Sequence, residues 1–106
     1  MEIEQKIQQL EEILADDPND SLGFFMLGKL YLDADRAEKA AEALERCLEL
    51  NPKHSAAYRF CGDAYRKADK LDEAREVYSR GIVVANENGD LQTVKEVEAF
   101  LRKLGE

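Results

Sequence analysis

Tryptophan is absent from these 106 residues, histidine occurs once, and cysteine and proline occur twice each. Each scarcity removes a class of explanation. One histidine, His54, cannot build a histidine-based metal cluster. Cys47 and Cys61 lack a CxxC spacing and read as buried, unreactive thiols rather than a disulfide or a catalytic pair. No glycine-rich phosphate loop, HExxH or GxSxG segment occurs, so no catalytic motif, metal site or cofactor is implied. No run approaches the 18 apolar residues of a membrane span, and Met1-Glu2-Ile3-Glu4 has neither the basic region nor the apolar stretch of a secretory leader, so a cytoplasmic location is expected. Basic residues are outnumbered 15 to 23, a net charge of −8, which disfavours a general affinity for nucleic acid. β-branched runs are nearly missing as well, and with 36% charged residues this favours solvated helices over strands.

What is present is a repetition. Phe24-x₂-Leu27-Gly28-x₂-Tyr31 returns 34 residues later as Tyr58-x₂-Cys61-Gly62-x₂-Tyr65. Ala40-x₃-Leu44 returns as Ala74-x₃-Tyr78, and Pro18 returns as Pro52, at the same spacing. Self-similarity at this period is the mark of a helical solenoid. The pattern resembles the tetratricopeptide repeat, Trp-x₂-Leu-Gly-x₂-Tyr…Ala-x₃-Phe…Pro, with repeats at residues 21–54 and 55–88. The resemblance implies an all-α, right-handed superhelical solenoid of α-α hairpins with about six helices, and a role in protein–protein interaction.

The remaining segments fit that scheme. Ile3, Ile7, Leu10, Ile13 and Leu14 lie at helical spacing ahead of Pro18, so residues 1–18 read as the second helix of a repeat. On the repeat frame Leu10 and Ile13 correspond to Leu44 and Cys47. Repeat helices are expected at residues 21–33, 36–50, 55–67 and 71–85. Asn19-Asp20-Ser21 forms a cap cluster ahead of the first, and Asp33-Ala34-Asp35 and Ala68-Asp69-Lys70 form the tight turns within the two hairpins. Gly28 and Gly62 fall mid-helix, where glycine costs about 1 kcal/mol relative to alanine, a cost accepted where a neighbouring helix comes close. Ala40, Ala41 and Ala74 are the small residues expected at those contacts. Gly89 and Asp90 punctuate the start of a capping helix over 90–104, with Leu91, Val94, Val97, Phe100, Leu101 and Leu104 on its apolar side. Two repeats alone would leave apolar flanks open, and the two terminal helices cover them, so residues 1–106 read as one domain.

Charge is distributed unevenly. Residues 1–20 carry one base against seven acids, a net −6, and residues 53–75 carry six bases against four acids, a net +2. In the tetratricopeptide family the first helix of each repeat lines a concave groove. The resemblance together with 100° per residue of helical geometry places Leu22, Phe25, Lys29, Leu32 and Asp33 on that face. From the second repeat it adds Ala56, Arg59, Asp63, Arg66 and Lys67, with Met26 and Phe60 alongside. Leu22, Phe25 and Leu32 form an apolar strip with no evident internal partner, the kind of patch that marks an interaction site. Arg59, Arg66 and Lys67 set cations beside it, partly offset by Asp63 at i,i+4 and i,i+3 spacing, and Lys29 extends the strip. Some members hold a peptide carboxylate with a lysine–asparagine clamp; Phe25, Lys29 and Phe60 stand at the matching places, so a clamp of that kind is not expected. His54, in the turn between repeats, is expected to be solvated or to cap a helix.

The reading is a non-catalytic module whose groove binds a peptide or helix bearing an apolar anchor and acidic groups, with Leu22, Phe25, Lys29, Leu32, Arg59, Arg66 and Lys67 as the contact residues. The alternative is a structural module that dimerises through a flanking helix, the oligomeric state being left open. Neither reading involves a membrane or nucleic acid.

Overall fold

Apolar side chains three and four positions apart fold into six helices in a computed structural model that describes residues 2–105; Met1 and Glu106, the ends of the segment read as one domain, lie outside the described residues. The helices are α1 Glu2–Asp16, α2 Ser21–Asp33, α3 Ala37–Leu50, α4 Ser55–Lys67, α5 Leu71–Asn88 and α6 Leu91–Lys103, with no strand among the described residues. This is an all-α helical-repeat fold. Each helix packs on the next, and in addition α2 touches α4 and α4 touches α6, so the three form a continuous side of the stack.

Local chemistry sets the joints. Asp35 and Asp69 both adopt φ of 62°, in the left-handed region that short polar side chains enter at least cost. Each reverses the chain so that a backbone N–H reaches back into the preceding helix: Arg36 donates to the Tyr31 carbonyl and Lys70 to the Tyr65 carbonyl, both at 2.8 Å. The Asp20 carboxylate accepts from the Gly23 N–H at 3.0 Å and starts α2. At α6 the Asp90 carboxylate accepts from the Thr93 N–H at 3.2 Å and from the Ser55 hydroxyl at 2.6 Å, tying the last helix to the start of α4. Those bonds, Ser55 first, hold its carboxyl below the usual aspartate range.

The mid-helix glycines are close contacts, as expected, and the atoms nearest to them belong to Leu44 and Tyr78 rather than to alanines. A Cβ on Gly28 would stand 2.5 Å from Leu44 Cγ, and one on Gly62 would stand 2.2 Å from the Tyr78 ring. Leu44 and Tyr78, both fully buried, reach across each hairpin and leave no room for a side chain opposite. Phenols link the units, Tyr31 donating to Glu11 on α1 and Tyr65 to Glu45 on α3 at 2.8 Å, and within the second repeat Tyr78 donates to Asp63 at 2.5 Å.

One boundary and two burial expectations are corrected. α5 continues to Asn88, three residues beyond the expected 85, because no proline stands at 86 and the helix stops only where Gly89 turns left-handed at φ 72°. The longer helix delays the next unit: buried Gly23 and Ala57 are 34 apart, whereas their counterpart Thr93 comes 36 after Ala57. Leu91, expected on the apolar side, is 63% exposed because it opens α6 directly after the cap. Ile13, expected to match the fully buried Cys47, is 57% exposed, since no helix covers that face of α1 among the described residues. The shifted frame also sets Glu98, which is exposed, at the place of Gly28 and Gly62.

Candidate functional site

The side formed by α2, α4 and α6 carries a ladder of aromatic rings and cations that brings together Phe25, Lys29, Arg59 and Arg66 of the residues singled out for binding, while Leu22, Leu32 and Lys67 stand outside its contacts. Phe25 lies edge-on to Phe60 with ring centroids 5.6 Å apart, and Lys29 sits 5.2 Å from both rings. Arg59 stands 4.8 Å from Phe60 and 5.6 Å from Phe100. Arg66 and Lys103 approach Phe100 at 5.0 and 5.6 Å. A cation over a ring face is attracted by the ring's quadrupole, typically by about 0.5–1 kcal/mol at exposed sites. The ladder therefore biases its charges toward the rings.

The apolar strip is only partly open. Phe25 and Leu32 are half-buried against the core, and Phe25 has an internal partner after all, the His54 ring 4.4 Å away. Leu22 is 61% exposed. The cations divide in the same way. Asp63, itself buried, lies 3.6 Å from Arg59 and 3.5 Å from Arg66, at the spacings that sequence predicts. Arg59 also meets Glu96 at 3.5 Å, and the Arg66 Nε–H donates to the Tyr78 hydroxyl at 3.4 Å. That bond, with the nearby Asp63, raises the Arg66 pKa. Lys29, Lys67 and Lys103 enter no ion pair among the described residues, so they hold the charge this face can offer to a ligand.

His54 stands at the N-cap position of α4, as expected for a capping residue, and its half-buried side chain is used differently. It makes no side-chain cap for α4; its ring packs on Phe25 while Nδ1 lies 3.7 Å from Cys47 Sγ. Burial pushes its pKa down, so the neutral ring is the favoured form. Cys47 and Cys61 are free and buried, and burial pushes the Cys47 thiol up to about 11 and the Cys61 thiol up as well. A thiol held protonated is a poor nucleophile. Among the described residues there is no cluster of three or more possible metal-ligating side chains, and no helix is long and apolar enough to cross a membrane.

Sequence reasoning underplayed Phe60 and missed Glu96, Phe100 and Lys103 as members of this face. The 36-residue step conceals the last three: counted from Thr93, Glu96 stands at the place of Phe60, Phe100 at that of Ala64 and Lys103 at that of Lys67.

The model of the tetratricopeptide repeat matches residues 25–90. A TPR repeat-containing protein of Pseudomonas aeruginosa is 46% identical over 98 residues, which cover 92% of this chain and 93% of that protein. The solution structure of a Bordetella parapertussis protein is 31% identical with a TM-score of 0.80, covering 93% of this chain and 86% of the other. The first TPR of Spaghetti (RPAP3), bound to the HSP90 peptide SRMEEVD, is 21% identical with a TM-score of 0.83, covering 98% and 78% of the two chains. That last likeness is one of fold.

Proposed function

From a chain that belongs to the tetratricopeptide repeat family of protein–protein interaction modules, we propose a binding module that takes a peptide or short helix on the α2–α4–α6 face. Members of this family are typically non-catalytic. The observation that carries the proposal is the aromatic–cation ladder from Phe25 through Phe60 to Phe100. It offers an apolar anchor point at Leu22 and Phe25 beside three unpaired ammonium groups, Lys29, Lys67 and Lys103. Rigid rings give contact area at small entropic cost, and lysine charges steer an acidic ligand while contributing modestly to affinity. Arg59 and Arg66, engaged by Asp63 and Glu96, shape the face and keep the ladder in register. A structural neighbour of this fold is bound to an acidic HSP90 peptide; the same general chemistry, without a lysine–asparagine clamp, suits the face described here.

Selection of a displayed random-peptide library on the immobilised protein tests this. Enriched peptides are expected to pair a large apolar residue with aspartate or glutamate. Their affinity should fall about tenfold with Phe25→Ala, by loss of an anchor contributing on the order of 1–2 kcal/mol. Lys67→Glu with Lys103→Glu should weaken binding mainly at low salt, since screening acts over about 8 Å at physiological ionic strength. Enrichment of basic peptides, or binding indifferent to all three substitutions, would remove this face as the site.

A further inference from the structure

We infer that the N-terminal end of the stack, between α1 and α2, is a second docking surface that seats one acidic amphipathic helix of a partner protein. Leu10 occupies the frame position of Leu44 and Tyr78, the two side chains that close over Gly28 and Gly62 of the paired helix. α1 has no such paired helix among the described residues, so Leu10 is only half-buried and Ile13 is 57% exposed, where Leu44, Tyr78 and Cys47 are fully buried.

The outer flank of α2 shows the same vacancy. Met26 and Leu30 hold the places of Phe60 and Ala64 on α4. Phe60 is covered by Phe25 and Lys29 from α2, and Ala64 is fully buried, whereas Met26 is 55% exposed. The four apolar residues meet in one depression of about 510 Å³.

Charge selects the occupant. Lys6 and Lys29 rim the depression and no carboxylate lines it, although the chain carries −8 overall and residues 1–20 alone carry −6. Acidic groups entering the depression meet these two lysines and no carboxylate of its lining. Size follows from the other units, whose helices at this place, α2, α4 and α6, are each 13 residues long, about 20 Å at 1.5 Å per residue. Close approach also requires a small residue opposite Leu10, as glycine provides opposite Leu44 and Tyr78. The outer side of α6 differs by contrast: the exposed Glu98 stands where the repeats have glycine, so a charge occupies that place. Apolar anchors at helical spacing entering a groove are a common recognition mode.

The probe is a synthetic helix-stabilised peptide with the spacing Phe-x₂-Leu-Gly-x₂-Tyr and glutamate at the remaining positions, titrated calorimetrically onto the full chain. Binding is expected, weakened at least about tenfold by Ile13→Glu with Met26→Glu, and weakened by leucine in place of the peptide's glycine. Lys6→Glu should reduce affinity most at low salt. Ile13 and Met26 are more than half exposed, and circular dichroism of the double variant verifies its fold. Lys67→Ala with Lys103→Ala, at the far end of the α2–α4–α6 face and outside the lining of this depression, should leave this binding unchanged, which separates the surface from the groove proposed above. Absence of binding, binding indifferent to the Ile13→Glu, Met26→Glu variant, or binding lost only with the two lysine substitutions overturns the inference. So does self-association of the chain abolished by Met26→Glu, which would assign the surface to a second copy.

Discussion

Replacing Gly62 by leucine is expected to lower the melting temperature by about 5–20 °C, the shift that overpacking of roughly 1–3 kcal/mol produces in a domain of this size. The contact behind it is severe. A Cβ alone would stand 2.2 Å from Cε1 of Tyr78, a ring with no exposed surface that is also stacked on Phe100 with centroids 5.6 Å apart and bonded to Asp63. Even Gly62→Ala should destabilise, reversing the gain of about 1 kcal/mol that alanine brings to an unencumbered helix. Thermal unfolding followed at the helical circular-dichroism band measures both. A melting temperature equal to or above that of the parent for either variant would contradict the described packing of α4 on α5.

Removal of residues 91–106 should cost more. Val94 and Val97 are buried, and Phe100, Leu101 and Leu104 are half-buried, with Val97, Phe100, Leu101 and Leu104 in the cluster that covers Tyr78 and Ala74. Each fully buried apolar side chain contributes roughly 1.5–3 kcal/mol in transfer terms, and a domain's whole stability is about 5–15 kcal/mol. The two valines alone therefore represent a large share. The truncated chain is expected to be unfolded at room temperature or to melt at least about 15 °C lower, with exposed Tyr78 promoting aggregation. A soluble truncated chain with an unshifted, sharp transition would show that α6 contributes nothing to the core.

The periodic part of this architecture was readable because it rests on short-range rules. A 34-residue spacing of large, small and glycine positions specifies which helix faces meet, and Arg59, Asp63 and Arg66 pair as i,i+4 and i,i+3 geometry requires. What escaped the reading depends on departures from the period. Without a proline at 86, α5 gains an extra turn's worth of residues. That slides α6 by two positions, so Phe100 and Lys103 enter the binding face and Glu98 falls on a glycine site. Ile13 was misjudged because a frame position says where a side chain points and not whether anything stands opposite. Phe25 and His54 meet through tertiary contact that no spacing within one helix encodes.

The tyrosine hydroxyls set a limit on the alkaline side. Tyr31 and Tyr65 each reach back 20 positions, to Glu11 and Glu45, which are themselves one period apart. In α6 the corresponding place is Leu101, which has no hydroxyl, so the α5–α6 junction has no bond of this kind. Burial and then the bond to Glu11 push Tyr31 up to about 12, and burial with Glu45 pushes Tyr65 up likewise. A pKa raised in the folded chain means stability that is complete below the unfolded value near 10 and drains away as pH climbs through the folded value. Once ionised, each phenolate faces a carboxylate, and a bond that fastened two units becomes repulsion between them. Strong base thus attacks the α1–α2 and α3–α4 junctions directly, and within the α4–α5 hairpin it sets the buried Tyr78 phenolate against Asp63. Phenolate absorbance rising in step with loss of helical signal is the optical trace of that unfastening.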